Sequence, residues 1–467
     1  MGSLKSSERR RLLLISYHFP PGQKAGALRW QKLAGLAAVR GWGVDVIALA
    51  AADVPAPDPS RLQELPAAVR VFGVRNRVPR VERFRDALYR LYRRLKPKPA
   101  PTPGAPPPIT RRPTFGQKDV RWAPWRAHSW RRILATWVDY ARDGAWAREA
   151  AKLGRSLFDP ALHAAVISCG PPHMAHEGAR RLSVATGLPL VMDFRDPWSL
   201  VDRLPENLGS PLWLHLAAMY EKRGVDRAAL VVMNNDPARL AMQERYLERA
   251  DRIITVPNGY DDETLPSAER DGRFRIVYTG SVYLDRNPRL LFRAVARLAR
   301  EFDLGPEDLG IEFMGTIEDV DGDLPLEAIV ADEGVEEFVT LHPPGTREDA
   351  LQLLARASVL LNLPQASHLA IPSKIYEYMR FDAWLLALAE QDSATELLLR
   401  DTPADVVDPD DADGLAAVVR RRYSEHAAGR RPQPIAVEER FSRRAQADQL
   451  FEAIERFTGP PTAHRGP

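Results

Sequence analysis

The chain has 467 residues, 45% hydrophobic and 27% charged, an ordinary globular balance but too much chain for one core, so two domains are expected. The one cysteine, Cys169, excludes an internal disulfide framework and fits a reducing, cytoplasmic compartment. Net charge is only +3, yet 17 Arg/Lys against 3 Asp/Glu lie between Arg75 and Arg132, a local +14 that leaves −11 elsewhere and points to an anionic partner for that segment alone.

The first element is a buried parallel strand, Arg11 to Ser16, whose apolar run, Leu12 to Ile15, is too short for a signal segment. A Pro/Gly loop, Phe19 to Gly26, leads to a helix from about Ala27 to Arg40, stopped by Gly41, and a second strand at Trp42–Leu49. This β-loop-α-β unit lacks the GxGxxG spacing. Residues 76–146 break the rhythm and read as an insert. Val81, Phe84, Leu88, Leu91 and Leu95 form the stripe of a basic amphipathic helix, and residues 97–113 hold eight prolines. Five of the ten tryptophans then fall between Trp122 and Trp146, interleaved with arginines.

Strands resume at Ala164–Ser168, Leu188–Asp193 and Ala229–Met233, then a helix at Pro237–Glu248 and a strand at Arg252–Pro257. The turn Pro257-Asn258-Gly259-Tyr260-Asp261 marks the crossing into a second domain that repeats the plan. Its strands are Phe274–Tyr278, Ile311–Met314, Phe338–Leu341, Val359–Leu363 and Trp384–Leu388. Asn287-Pro288 caps a helix to about Glu301, and Thr346 caps one from Arg347 to Ala357. A last amphipathic helix, Arg443–Phe457, lies too far downstream to extend the second sheet, and residues 458–467 read as frayed. The predicted boundaries are 1–261, 262–436 and 437–467.

Open parallel α/β sheets bind ligands at the carboxyl ends of their strands. Ile371-Pro372-Ser373-Lys374-Ile375-Tyr376-Glu377 follows such a strand. Lys374 in the first turn of a helix suits phosphate, and Glu377 one turn on suits ribose hydroxyls. The bland alternative is a surface salt bridge. Gly280-Ser281 permits close backbone approach to phosphate, with Arg286 in reach; otherwise it is an ordinary β–α turn. Asp193, Arg195 and Asp196 end a strand of the first domain, where they either line a site or form an ion pair holding the loop. His173 and His176 are polar candidates, Cys169 reads as an inert buried thiol, and no metal-ligand spacing occurs.

In order, six blocks resemble the retaining GT-B glycosyltransferases of the GT4-like group: Ile15–Pro21 with Gly26 and Arg29, Ser168–Pro172, Asp193–Trp198, Pro257–Asp261, Tyr278–Ser281 and Pro372–Tyr378. The resemblance implies an α/β GT-B fold, with two Rossmann-like domains facing a cleft and the C-terminal helix crossing back to the first. It implies sugar transfer from a nucleotide-sugar donor to a glycan, lipid-linked or small-molecule acceptor with retention, in bacterial surface polysaccharide or glycoconjugate synthesis. Neither metal nor other cofactor is implied. Lys374, Arg286, Asp193 and Arg195 would be catalytic. Gly280, Ser281, Gly315, Ile371, Ser373 and Glu377 would bind the donor, and Gly26, Arg29 and His173 would face the acceptor. Two departures stand out: Leu369 occupies the place of the first glutamate of the family's Glu-x7-Glu motif, and Ser281 that of an arginine. Backbone N–H groups around His368–Ile371 are the expected substitute for that glutamate.

The basic Trp-rich insert suggests peripheral docking on an anionic membrane face; no nucleic-acid motif is present. The competing readings are another GT-B enzyme, such as a sugar-nucleotide epimerase, and a non-catalytic protein binding an anionic polymer or membrane.

Overall fold

A computed structural model describes residues 10–23, 25–76, 130–201, 210–284, 286–320, 325–363, 367–436 and 439–459. The expected amphipathic stripe at 81–95, the proline-rich 97–113, Trp122, Trp125 and residues 460–467 lie outside them. The chain divides into two compact units, Met1–Pro257 with Ala447–Pro467, and Asn258–Gln446.

The first unit is built on seven parallel strands: β1 (Arg11–Ser16), β2 (Gly43–Leu49), β3 (Val69–Val74), β4 (His163–Gly170), β5 (Leu190–Phe194), β6 (Leu230–Met233) and β7 (Ile253–Thr255). They lie in the order β3-β2-β1-β4-β5-β6-β7. Leu12 and Leu14 of β1 are fully buried beside Val44 and Val46 of β2, as unbroken apolar runs in a doubly covered sheet require. Helix α1 (Ala25–Val39) lays Trp30, Leu33, Ala34 and Ala37 on that core, an i, i+3, i+4, i+7 face. The short α2 (Ser60–Gln63) precedes β3.

Here the predicted insert is too long. Trp130–Leu157 is a 28-residue helix, α3, packed on α4 (Met174–Thr186) and carrying the chain from β3 to β4. Its Val138, Trp146, Ala147 and Ala150 are buried, so residues 130–146 belong to the first unit's plan. The unit continues with α5 (Pro211–Arg227), where the Ser210 side chain accepts from Trp213 N, and α6 (Asp236–Arg245), capped by Asn235.

The second unit holds β8 (Phe274–Thr279), β10 (Leu309–Met314), β12 (Val339–His342), β13 (Val359–Asn362), β14 (Trp384–Leu388) and β15 (Asp405–Val407), ordered β12-β10-β8-β13-β14-β15 and parallel. A separate pair, β9 (Val282–Leu284) and β11 (Ile317–Val320), follows the ends of β8 and β10. Helix α7 (Arg289–Phe302) puts Leu291, Phe292, Val295, Leu298 and Ala299 into the core. It starts one residue later than the proline suggested, with Asn287 Oδ1 accepting from Arg289 N at 3.0 Å. Helices α8 (Leu326–Asp332), α9 (Arg347–Ala355), α10 (Lys374–Tyr378), α11 (Ala394–Leu399) and α12 (Ala412–Ala427) complete it. Thr346 and Asp349 close a capping box on α9.

The last helix, α13 (Arg443–Thr458), begins in the second unit, where Arg443 donates to Asp261 at 2.7 Å and to Gly259 O at 2.7 Å. Its Ala447, Leu450, Phe451 and Ile454 join the first unit's core with Leu12, Trp30 and Trp42. No helix among the described residues is long and apolar enough to cross a membrane.

Candidate functional site

In the second sheet the strand order reverses direction between β8 and β13, the place where open α/β sheets bind ligands. β8 ends at Thr279, and Gly280 follows with φ 120°. Gly315, after β10, has φ 148°, and a Cβ there would collide with the Gly280 carbonyl. Glycine at 315 lets the two strand ends touch.

Lys374 reaches this turn from α10. Its Nζ donates to Thr279 O at 2.7 Å and stands 3.6 Å above the centroid of the Tyr278 ring. A Cβ on Gly280 would lie 2.8 Å from that nitrogen. Burial, and secondarily the Arg286 charge, hold the Lys374 amine well below its usual pKa. Arg286 Nη1 donates to Ser281 O at 2.8 Å and to the Tyr278 hydroxyl at 3.3 Å. Two basic side chains therefore meet around Gly280.

The local geometry differs from the expectation in three ways. Helix α10 has five residues, too short for a useful macrodipole, so Ser373 at its start offers no strong anion site. The salt bridge of the bland alternative is not formed among the described residues, and Glu377 accepts instead from Arg347 Nη2 at 2.6 Å. Ile371 is 8% exposed and packs in the core with Ile375 and Tyr378, so its side chain is unavailable to a donor. The amide of Leu369 donates to Ser367 Oγ at 3.3 Å, which removes one backbone group expected to replace the missing carboxylate.

Burial raises the Glu377 pKa, opposed by Arg347 and assisted by Glu263 and Asp261. Arg347 also bonds Glu263. The sequence marked Arg347 only as a helix start, and gave Tyr278, a strand residue opening a resembling block, no role. Tyr378 closed a resembling block without a role of its own; its hydroxyl accepts from Thr279 N at 2.9 Å and ties α10 to the end of β8.

In the first unit the order reverses between β1 and β4. The Asp193 carboxylate at the end of β5 is fully buried and accepts from Arg29 Nε at 2.9 Å, Arg29 Nη2 at 3.0 Å and Trp30 Nε1 at 2.7 Å. Arg29 donates further to Val256 O and Pro257 O, both at 3.0 Å. The catalytic expectation for Asp193 and the acceptor-facing one for Arg29 are corrected: this saturated pair ties α1, β5 and the chain beyond β7 together. Three other candidates do converge. Arg195 Nε donates to Gly170 O at 3.0 Å, and its guanidinium lies directly on Gly26, where any Cβ would overlap it. His173 stacks on Trp198 with centroids 5.3 Å apart. Burial, with His176 and Arg195 nearby, keeps His173 neutral by pushing its pKa well down. His176 Nδ1 bonds Ser168 Oγ at 2.8 Å. Burial pushes the Cys169 thiol up to about 12, so it is inert.

No protein-family model matches the chain, and no curated protein sequence does. Solved structures do. A sucrose-phosphate synthase from Thermosynechococcus elongatus superposes with TM-score 0.58 at 14% identity, covering 96% of this chain and 99% of that one. Anabaena HepE in complex with UDP and glucose gives TM-score 0.58 at 14% identity over 96% and 100%. A UDP-forming α,α-trehalose-phosphate synthase from Burkholderia xenovorans, in complex with glucose-6-phosphate, gives 0.60 at 13% over 96% and 100%. The chain thus has the GT-B fold, with two Rossmann-like sheets.

Proposed function

We propose that this protein is a nucleotide-sugar-dependent glycosyltransferase that retains anomeric configuration. The carrying observation is the convergence of Lys374 and Arg286 on the Gly280-Ser281 turn at the switch point of the second sheet. Two cations on a glycine turn suit a diphosphate, whose charge grows as the sugar leaves. That the similar structures include complexes with UDP and with UDP-glucose supports the reading.

In the proposed step an acceptor hydroxyl oxygen bonds to the anomeric carbon as the bond from that carbon to the diphosphate breaks. The electron pair leaves on the nucleoside diphosphate, and the hydroxyl proton passes to a departing phosphate oxygen on the same face. Lys374 and Arg286 stabilise the leaving group and Glu377 binds ribose. Arg195, His173 and Gly26 of the first unit face the acceptor, a glycan or lipid-linked molecule of bacterial surface polysaccharide synthesis. The cations supply the charge compensation, so transfer should persist in excess chelator. Leu369 leaves donor-sugar recognition to other groups.

Peripheral membrane docking belongs to the same proposal. Trp130, Ile133 and Trp137 are 68%, 38% and 49% exposed and share one face of α3, next to the basic segment.

The test is a thermal-shift screen of UDP-, GDP-, ADP- and dTDP-sugars on wild type and Glu377→Ala. A donor at a hundred times its Kd stabilises by about 2.7 kcal/mol. One donor should shift wild type strongly and the variant weakly. Equal shifts in both would remove Glu377 from the site, and no shift with any donor would sink the reading.

A further inference from the structure

We propose that Tyr278 is a positioning residue that sets both phosphate-binding cations, holding the Lys374 ammonium on its ring face and the Arg286 guanidinium on its hydroxyl. This rests on reading the Gly280-Ser281 turn as a diphosphate site.

Tyr278 is the fifth residue of β8 and 1% exposed. It alternates with Phe274 and Ile276, both fully buried in the same core. Packing asks only for an aromatic ring there, and a buried hydroxyl costs stability unless it is bonded. This one donates to Ser281 O at 2.8 Å and accepts from Arg286 Nη1 at 3.3 Å. The ring's negative face carries Lys374 Nζ at 3.6 Å from its centroid.

One side chain thus touches both cations and spans Gly280. Thr279 O, before the glycine, holds the lysine, and Ser281 O, after it, holds the arginine. Lysine and arginine repel each other, and flexible side chains would drift apart into solvent. The phenol offers each a partner and fixes their separation. An oxyanion arriving at Gly280 then meets two placed cations with little reorganisation. With Ser281 where the resembling enzymes carry arginine, Arg286 must reach back to the turn, and the tyrosine hydroxyl gives it a fixed stop.

The test uses the full chain and calorimetric titration with UDP, GDP, ADP and dTDP and their monophosphates. Tyr278→Phe keeps the ring and the fold and removes the hydroxyl. Affinity for the preferred diphosphate should fall about tenfold, as expected for a lost hydrogen bond to a charged group, while the monophosphate changes less than about twofold. Arg286→Ala combined with Tyr278→Phe should bind no more weakly than Arg286→Ala alone, since the hydroxyl acts through the arginine. Arg286→Lys, which keeps the charge but not the reach, should lose affinity as Tyr278→Phe does. Wild-type diphosphate affinity in Tyr278→Phe, or multiplicative losses in the double variant, would overturn the positioning role while leaving the site intact. If wild type binds none of the four diphosphates, the site itself is misread and the inference falls with it.

Discussion

Arg347 Nη2 donates to Glu377 Oε1 at 2.6 Å, and the same guanidinium is bonded to Glu263. At the proposed ribose-binding carboxylate, Arg347 thus favours the charged form against burial and two neighbouring acids. Because its folded pKa is raised above the ordinary 4.5, Glu377 lowers stability as pH rises from that value to the folded one. Removing Arg347 should raise the carboxyl further and let it take up a proton nearer neutrality. Arg347→Ala should weaken nucleotide binding, and affinity should then rise with pH as the carboxylate is regained. The matching 2′-deoxynucleotide should lose less. A pH-independent affinity in Arg347→Ala, measured by titration from pH 6 to 9, would exclude this coupling.

Lys374 shows the opposite sign. Its folded pKa is lowered below the ordinary 10.5, so stability rises with pH through the window between those two values, and near pH 7 the buried amine is a cost. A ligand phosphate would offset that cost; a methionine removes it without a ligand. Lys374→Met should raise Tm at pH 7 by about 2–4 °C, a functional site relaxed toward stability. It should also abolish the shift produced by a nucleoside diphosphate. A lower Tm would mean that the bonds to Thr279 O and the Tyr278 ring outweigh the desolvation.

The Asp193–Arg29 pair predicts a loss of folding and not of chemistry. Both groups are almost wholly buried, and breaking a buried pair by removing one partner costs about 3–5 kcal/mol. Asp193→Asn should lower the denaturation midpoint by a corresponding amount and leave nucleotide affinity unchanged in the folded fraction. Full stability with lost transfer would restore the catalytic reading.

Those two residues also show where the sequence stopped being informative. Strands such as Leu12–Ile15 were legible because a doubly covered parallel sheet demands unbroken apolar runs. β3 was not, because Arg70 and Gly73 interrupt its pattern. Helix α3 was hidden by its own composition: its arginines and tryptophans continue the basic segment before it, and what makes it core, Trp146 against Tyr17 at 4.8 Å, is tertiary. In the site, Lys374 and Glu377 stood out as a spaced motif after a strand. Tyr278 and Arg347 did not, since one looks like strand core and the other like a helix start until their partners, up to 96 residues away in the case of Lys374, are placed. Charges at the end of β5 looked like site residues because Arg29 and Trp30, more than 160 positions earlier, cannot be paired with Asp193 by eye.

Gly26 gives a test confined to the first unit. A Cβ there overlaps the Arg195 guanidinium, so Gly26→Ala must displace that side chain and strain its bond to Gly170 O. The change should raise KM for the acceptor while nucleotide-sugar KM stays within about twofold, because uniform binding of one substrate alone is lost. A rise in donor KM of the same size would place Arg195 on the donor instead.

The exposed face of α3 carries the membrane prediction. Tryptophans at 130 and 137 with Ile133 between them project from one side of a helix whose other side is core, and the segment leading into it is strongly basic. Aromatic side chains settle at the headgroup level and basic residues add about 1 kcal/mol each near an anionic surface. The protein should pellet with vesicles containing phosphatidylglycerol, less with purely zwitterionic ones, and less as salt rises, since screening shortens the attraction. Trp130→Ala with Trp137→Ala should reduce pelleting at every salt concentration without altering nucleotide affinity. Charge reversal at Arg83, Arg90, Arg93 and Arg94 should instead flatten the salt dependence. Pelleting unaffected by either set would leave the tryptophan face without a bilayer to explain it.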